Sequence, residues 1–280
     1  MLTRAVQTAN CTAALMTSPP EKGMPVQLQL LGDFRFMITG RTVCVSQNGQ
    51  RVLAFLALRE HSVRRDQLAR MLWPDITESR LLPNLRSVIW RLPMAGKEAI
   101  TVSAQELKLA DTVMVDLRTA RSLAGRLVGH PPDISADRLT HAMRVNLRDD
   151  LLPTWSNDEW LTAERERFHQ LRLHSLEILS GLLSAAGRYG AAADAALSAI
   201  SADPLRESAR RALVGVYLAE DNLSLAVSEF DRYRRVLRRE LDCAPSRQFH
   251  ELIRSAVASA KERPDLEPAA EGRMFCGQAN

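Results

Sequence analysis

A mainly helical chain with a small α+β part at its N-terminal end is the fold class that the sequence predicts. Three observations carry it. Before about residue 46, apolar and polar residues alternate, as in half-buried strands. From Val52 onwards, apolar residues recur at spacings of three and four, the period of an amphipathic helix. In the last third of the chain, a pattern of small residues repeats after 34 positions, the period of stacked helix pairs. Composition agrees with this. Aromatic residues make up only 5% of the chain, and Ala and Leu are abundant, which favours helix.

Residues 1–24 read as a loose leader closed by the turn-forming run Pro19 to Gly23. Val26 to Leu31 alternates as a strand, Gly32-Asp33 breaks it, Phe34 to Ile38 resumes it, and Val43 and Val45 close a small antiparallel meander after Gly40. Val52, Leu53, Phe55, Leu56 and Leu58 predict a short buried helix, and Gln67 to Leu72 predicts a second. Trp73-Pro74 stops the second helix, because proline pushes the residue before it away from helical angles.

A third helix is expected from about Glu78 to Leu92. Leu82, Leu85, Ile89 and Leu92 form its apolar stripe, Arg80, Asn84, Ser87 and Arg91 a polar one, and Arg86 and Trp90 a third row. Long cationic side chains beside an amide and a hydroxyl are the groups that contact phosphates and base edges. Pro83 in a helix interior costs about 3 kcal/mol, so the helix is expected to start late, near Arg80–Leu82. Trp90 reads as an anchor in the core or at a domain interface, with an intercalating wedge as the less favoured alternative. Ile100 to Val102 and Glu106 to Leu109, joined by Ser103-Ala104-Gln105, predict a hairpin. Strands, three short helices and a hairpin make a winged helix, in which the third helix enters the major groove and the wing lies along the backbone.

From Val115 the chain reads as all helix: Leu117 to Leu127, Ile134 to Leu147, then Asp158 to Ala186 after a loop at 149–155. Gly187, Ala192, Ala196 and Ala199 recur 34 residues later as Asp221, Ala226, Phe230 and Tyr233, a tetratricopeptide-like pattern. The expected organisation is a leader (1–24), a winged-helix domain (25–117), an all-α helical-repeat domain (118–260) and a disordered tail (261–280).

The net charge is +4. Basic residues exceed acidic ones by three in 25–117 and equal them in 118–280, so only the first domain is expected to meet an anionic partner. Cys11, Cys44, Cys243 and Cys276 show no C-x-x-C pairing, so neither a zinc site nor a disulfide framework is expected. No apolar run approaches membrane-spanning length. There is no phosphate loop, no H-E-x-x-H and no G-x-S-x-G, so no enzyme, catalytic residue, metal or cofactor is expected.

These segments resemble the Streptomyces antibiotic regulatory protein family of transcriptional activators, with an OmpR-like winged helix and a bacterial transcriptional activation domain. The first part carries the likeness in Asn84-Leu85-Arg86-Ser87-Val88-Ile89-Trp90-Arg91-Leu92. The second carries it in Leu151 to Trp155, Trp160 to Leu171, Ala186 to Tyr189, Asp203 to Ser208, and Tyr233-Arg234-Arg235 with Leu241 and Pro245. Leu81-Leu82-Pro83 departs from the family pattern. The resemblance implies binding to promoter direct repeats, recruitment of RNA polymerase holoenzyme, and control of an antibiotic or other secondary-metabolite gene cluster. It also implies that the loop Trp73, Pro74, Asp75, Ile76, Thr77 and Glu78 touches the transcription machinery.

The expected DNA-binding residues are Asn84, Arg86, Ser87 and Arg91 in the major groove with Arg80 nearby. Arg64 and Arg65 are expected on phosphate from the second helix, and Gln105 and Lys108 from the wing. A homodimer on DNA and a cytoplasmic, nucleoid-associated location complete the expectation. The competing reading is a helical-repeat adaptor whose winged helix binds protein.

Overall fold

The structure is a computed structural model that describes residues 25–129, 142–143, 145–156 and 158–262. The expected leader, most of the second helical stretch (134–147) and the tail from 263 lie outside the described residues. The chain divides into two compact units, up to Leu179 and from Ser180.

The first unit opens with β1 (Val26–Gln29), β2 (Arg35–Ile38), β3 (Arg41–Thr42) and α1 (Gln47–Leu58). It continues with β4 (Val63–Arg64), α2 (Arg65–Leu72), α3 (Glu78–Trp90), α4 (Met94–Glu98), β5 (Ile100–Val102), β6 (Glu106–Leu109), β7 (Val113–Val115) and α5 (Asp116–Gly129). One sheet has the order β3-β2-β1-β7 and the other β4-β6-β5. β1 pairs antiparallel with β2, placing Leu28 opposite Phe36, and parallel with β7. The mainly α chain with an N-terminal α+β winged helix is therefore the observed class.

Short elements account for most differences from the sequence expectation. The third strand is Arg41–Thr42, just before Val43 and Val45. β4 and β7 have two and three residues, too few for an alternation to register. α4 lies between the third helix and the hairpin, in a stretch to which the sequence assigned no element.

α1 is the centre of the core. Ser46 caps it by accepting a hydrogen bond from the Gly49 backbone N–H at 3.3 Å. Every residue from Val52 to Leu58 is buried, so the helix is covered on all sides. Gly49 is required there, because a Cβ would lie 2.8 Å from side-chain carbons of both Leu92 and Val45.

The start of α5 is tied to the end of β1. The Asp116 carboxylate accepts the backbone N–H groups of Leu30 at 2.9 Å, Leu31 at 3.0 Å and its own neighbour Leu117 at 2.7 Å. A bridge between Leu31 and Leu151 adds the following loop to the same edge. Beyond it runs α6 (Glu159–Ala185), a 27-residue helix. Its first half packs in the first unit: the Trp160 ring lies 5.1 Å from that of Phe55 in α1. Asp158, just before α6, pairs with Arg51 at 2.7 Å and accepts the Trp160 indole N–H at 2.9 Å. Glu164 pairs with Arg121 of α5 at 2.8 Å and Arg59 at 3.6 Å. The first compact unit thus takes in α5 and the first part of α6.

The second unit contains the end of α6, then α7 (Tyr189–Ala202), α8 (Glu207–Ala219), α9 (Leu223–Leu241) and α10 (Arg247–Lys261). The 34-residue period is visible in its backbone. Gly187 and Asp221 both have positive φ, 70° and 57°. At each, the N–H of the positive-φ residue and of the next residue bond back into the preceding helix: Gly187 to Ser184 and Arg188 to Leu183, then Asp221 to Leu218 and Asn222 to Tyr217. This is the same Schellman cap used twice. Ala192, Ala196 and Ala199, and their counterparts Ala226, Phe230 and Tyr233, are all buried, as the repeat requires. Phe230 and Tyr233 build a cluster with Val214, Leu237 and Phe249. The Tyr233 hydroxyl donates to the Leu205 carbonyl at 2.9 Å, and burial pushes its phenol up to about 12. A buried ion pair, Arg210 with Glu229, lies beside it.

Of the described cysteines, Cys243 is free and exposed. Among the described residues no helix is long and apolar enough to cross a membrane.

Candidate nucleic-acid interface

One backbone contact assembles the basic edge of the first unit. The Arg65 N–H, at the start of α2, donates to the Gln105 carbonyl in the wing at 2.9 Å. β4 pairs with β6 in the same place, setting Arg64 opposite Glu106. The entry to α2 is thereby fixed against the tip of the hairpin, and α3 packs along α2 on the other side.

Between these elements lies an open groove of about 380 Å³. Arg64, Arg65 and Asp66 line one side, Ala104 and Gln105 the wing side, and Leu82, Leu85, Arg86 and Ile89 the α3 side. Four of the nine expected DNA-binding residues, Arg64, Arg65, Arg86 and Gln105, therefore converge from three separate elements. The signal for Leu82 and Ile89 was present but misassigned, since both read as core. The buried stripe of α3 is Leu81, Leu85 and Val88, followed by Leu92, while Leu82 is 45% exposed and Ile89 half-buried.

The other five residues lie elsewhere. Arg80 and Arg91 are exposed, and Asn84 and Ser87 are half-buried, on the flank of α3 that does not line the groove. Lys108 pairs with Asp111 at 2.7 Å, and that bond holds the Asp111 carboxyl below the usual carboxylate range.

Charge in the groove is partly neutralised. Arg64 makes two hydrogen bonds to Asp66, at 3.1 and 3.3 Å, which lower the Asp66 carboxyl. The Arg65 Nε is buried without a hydrogen-bond partner.

α3 begins at Glu78, preceded by Thr77, and Pro83 lies within it rather than at its entry. The helix does not start late. Pro83 is exposed, so water can reach the Ser79 carbonyl that loses its backbone donor. Trp90 is the second correction. It is 73% exposed and not a packing anchor, with the Lys97 ammonium 5.6 Å from its ring centroid.

In the α2–α3 loop, Trp73 is 8% exposed and its indole N–H donates to the Asn48 side chain at 3.4 Å. Ile76 is half-buried. Pro74, Asp75, Thr77 and Glu78 are exposed, Glu78 being paired with Arg70.

The family model of the bacterial transcriptional activator domain matches residues 116–256. The fold is similar to a solved structure described as Mycobacterium tuberculosis EmbR in complex with low affinity phosphopeptide, with a TM-score of 0.63 and 20% sequence identity. The match covers 84% of this chain and 66% of that one, just under two thirds of its length. No curated protein sequence matches the chain.

Proposed function

Because the chain belongs to the bacterial transcriptional activator domain family, we propose that it is a sequence-specific DNA-binding activator acting on direct repeats upstream of promoters. The groove in which Arg64, Arg65, Arg86 and Gln105 converge is the observation that carries this reading. α3 enters the major groove, with Arg86 reading a base edge and Arg64 and Arg65 held on the flanking phosphates. Gln105 positions the wing on the backbone. Arg80, Asn84, Ser87 and Arg91 follow the opposite wall of the major groove, and Lys108 reaches phosphate only by leaving Asp111.

The second half of the reading concerns the polymerase. The exposed part of the α2–α3 loop, Pro74, Asp75, Thr77 and Glu78, is the surface offered to RNA polymerase holoenzyme. A winged helix reads few base pairs, so two copies on tandem repeats supply the remaining specificity. The regulated genes are those of a secondary-metabolite cluster, as the likeness to antibiotic regulators suggests.

Selection of bound duplexes from a randomised pool tests this, with wild type and Arg86→Ala compared side by side. The expected result is enrichment of tandem direct repeats by the wild type and loss of that preference in the variant. Removing one base-reading arginine should cost about 1–3 kcal/mol. No enrichment by a folded wild-type protein would leave the adaptor reading in its place.

A further inference from the structure

Among the described residues of the first unit, Trp90 is the largest exposed apolar side chain, at 73%. It stands one turn after Arg86 on α3, so the two side chains share a face of the helix. Met94, 57% exposed, follows at the start of α4, and Lys97 of α4 lies over the indole ring. Between Glu78 and Glu98 the chain contains Arg80, Arg86, Arg91 and Lys97 and no acidic residue.

An exposed indole with an ammonium beside it, on a helix whose charges after Glu78 are all arginines, fits a polyanion that also offers apolar surface. Duplex DNA is such a partner, since it presents sugar faces and thymine methyl groups between its phosphates. We propose that Trp90 is a DNA-contacting residue, its ring packed on the duplex beside the base that Arg86 reads, with Lys97 on the adjacent phosphate. The inference rests on the DNA-binding reading above and adds to it an apolar contact from the C-terminal end of α3.

The Lys97 ammonium covers only one side of an indole, which leaves the ring's other face and its edge for the duplex. The pair divides the work. Lys97 displaces a counterion and contributes to the salt dependence of binding, while Trp90 contributes affinity that salt does not screen.

The test uses the full chain and two duplexes taken from the selection, one carrying a single repeat and one carrying two. Trp90→Ala should weaken binding to the single repeat about tenfold, the scale of one interface tryptophan, and leave the salt slope unchanged. Lys97→Ala should lower affinity and reduce the salt slope by about one. Trp90→Phe should recover part of the loss. Duplex binding should also shield the exposed tryptophan from iodide quenching in the wild-type protein and not change quenching in Trp90→Ala.

Unchanged single-repeat affinity for a folded Trp90→Ala, with wild type binding normally, overturns the inference and spares the DNA-binding reading. Loss confined to the two-repeat duplex also overturns it, and assigns Trp90 to a contact between protein copies. Failure of the wild type to bind any duplex removes the DNA-binding reading and the inference with it.

Discussion

Arg64 and Arg65 are adjacent in sequence but electrostatically unlike. Asp66 takes up two donors of Arg64, whereas the Arg65 Nε has no partner. An aspartate at the rim of a phosphate-binding groove opposes the anion twice, by its own charge and by occupying a guanidinium. Asp66→Asn should therefore strengthen binding to any duplex and steepen the salt dependence by about one counterion, without changing the preferred sequence. Affinity titrations on random-sequence duplex at several salt concentrations check this, and an unchanged slope would show that Arg64 does not reach phosphate. Chemical type at each of these positions is legible from the sequence, which is why it points to Arg64, Arg65, Arg86 and Gln105. Pairing was not legible. Arg64 with Asp66 and Lys108 with Asp111 depend on side-chain positions that a two- or three-residue spacing permits without requiring.

α3 shows how far periodicity reaches at the scale of an element. Leu82-Leu85-Ile89-Leu92 and Leu81-Leu85-Val88-Leu92 are both valid helical stripes that share Leu85 and Leu92, and their centres differ by about 50° around the helix. The sequence contains both, and packing against α2 selects the second. The rotation leaves Leu82 and Ile89 beside the groove and Trp90 in solvent. Pro83 was read as evidence for a late helix start, yet the helix accommodates it because its outer face is exposed. An exposed interior proline still removes a hydrogen bond and strains the preceding turn. Pro83→Ala should raise the unfolding free energy by about 2 kcal/mol, the helix gain less the entropy that proline removes from the unfolded chain. Urea denaturation with an unchanged m-value would establish it. No gain in stability would mean that the turn around Ser79 is already relaxed. In the second unit the agreement is closer, since Gly187 and Asp221 share both their register and their cap.

Within the first unit, the winged helix and the start of the family domain form one body. Asp158 and Glu164 bring α6 onto Arg51, Arg59 and Arg121, and Trp160 packs on Phe55 of the central helix. Cutting after Leu117 would expose Phe55 and Leu31 and leave Arg51 and Arg59 without their carboxylates. A fragment of residues 25–117 should therefore fail to unfold cooperatively, while 25–188, which keeps α6 and its cap, should melt as a single transition. Calorimetry of the two fragments decides this, and a cooperative 25–117 would show that the contacts to α6 are dispensable. The sequence by itself determined the class, the order of the long helices, the wing and the 34-residue repeat, because each is written in local period and turn chemistry. Only the tertiary structure decided which stripe of α3 is buried, that Trp90 faces solvent, and that α5 and most of α6 pack within the first compact unit. Those outcomes depend on contacts between residues distant in sequence, and a local pattern compatible with two packings does not choose between them.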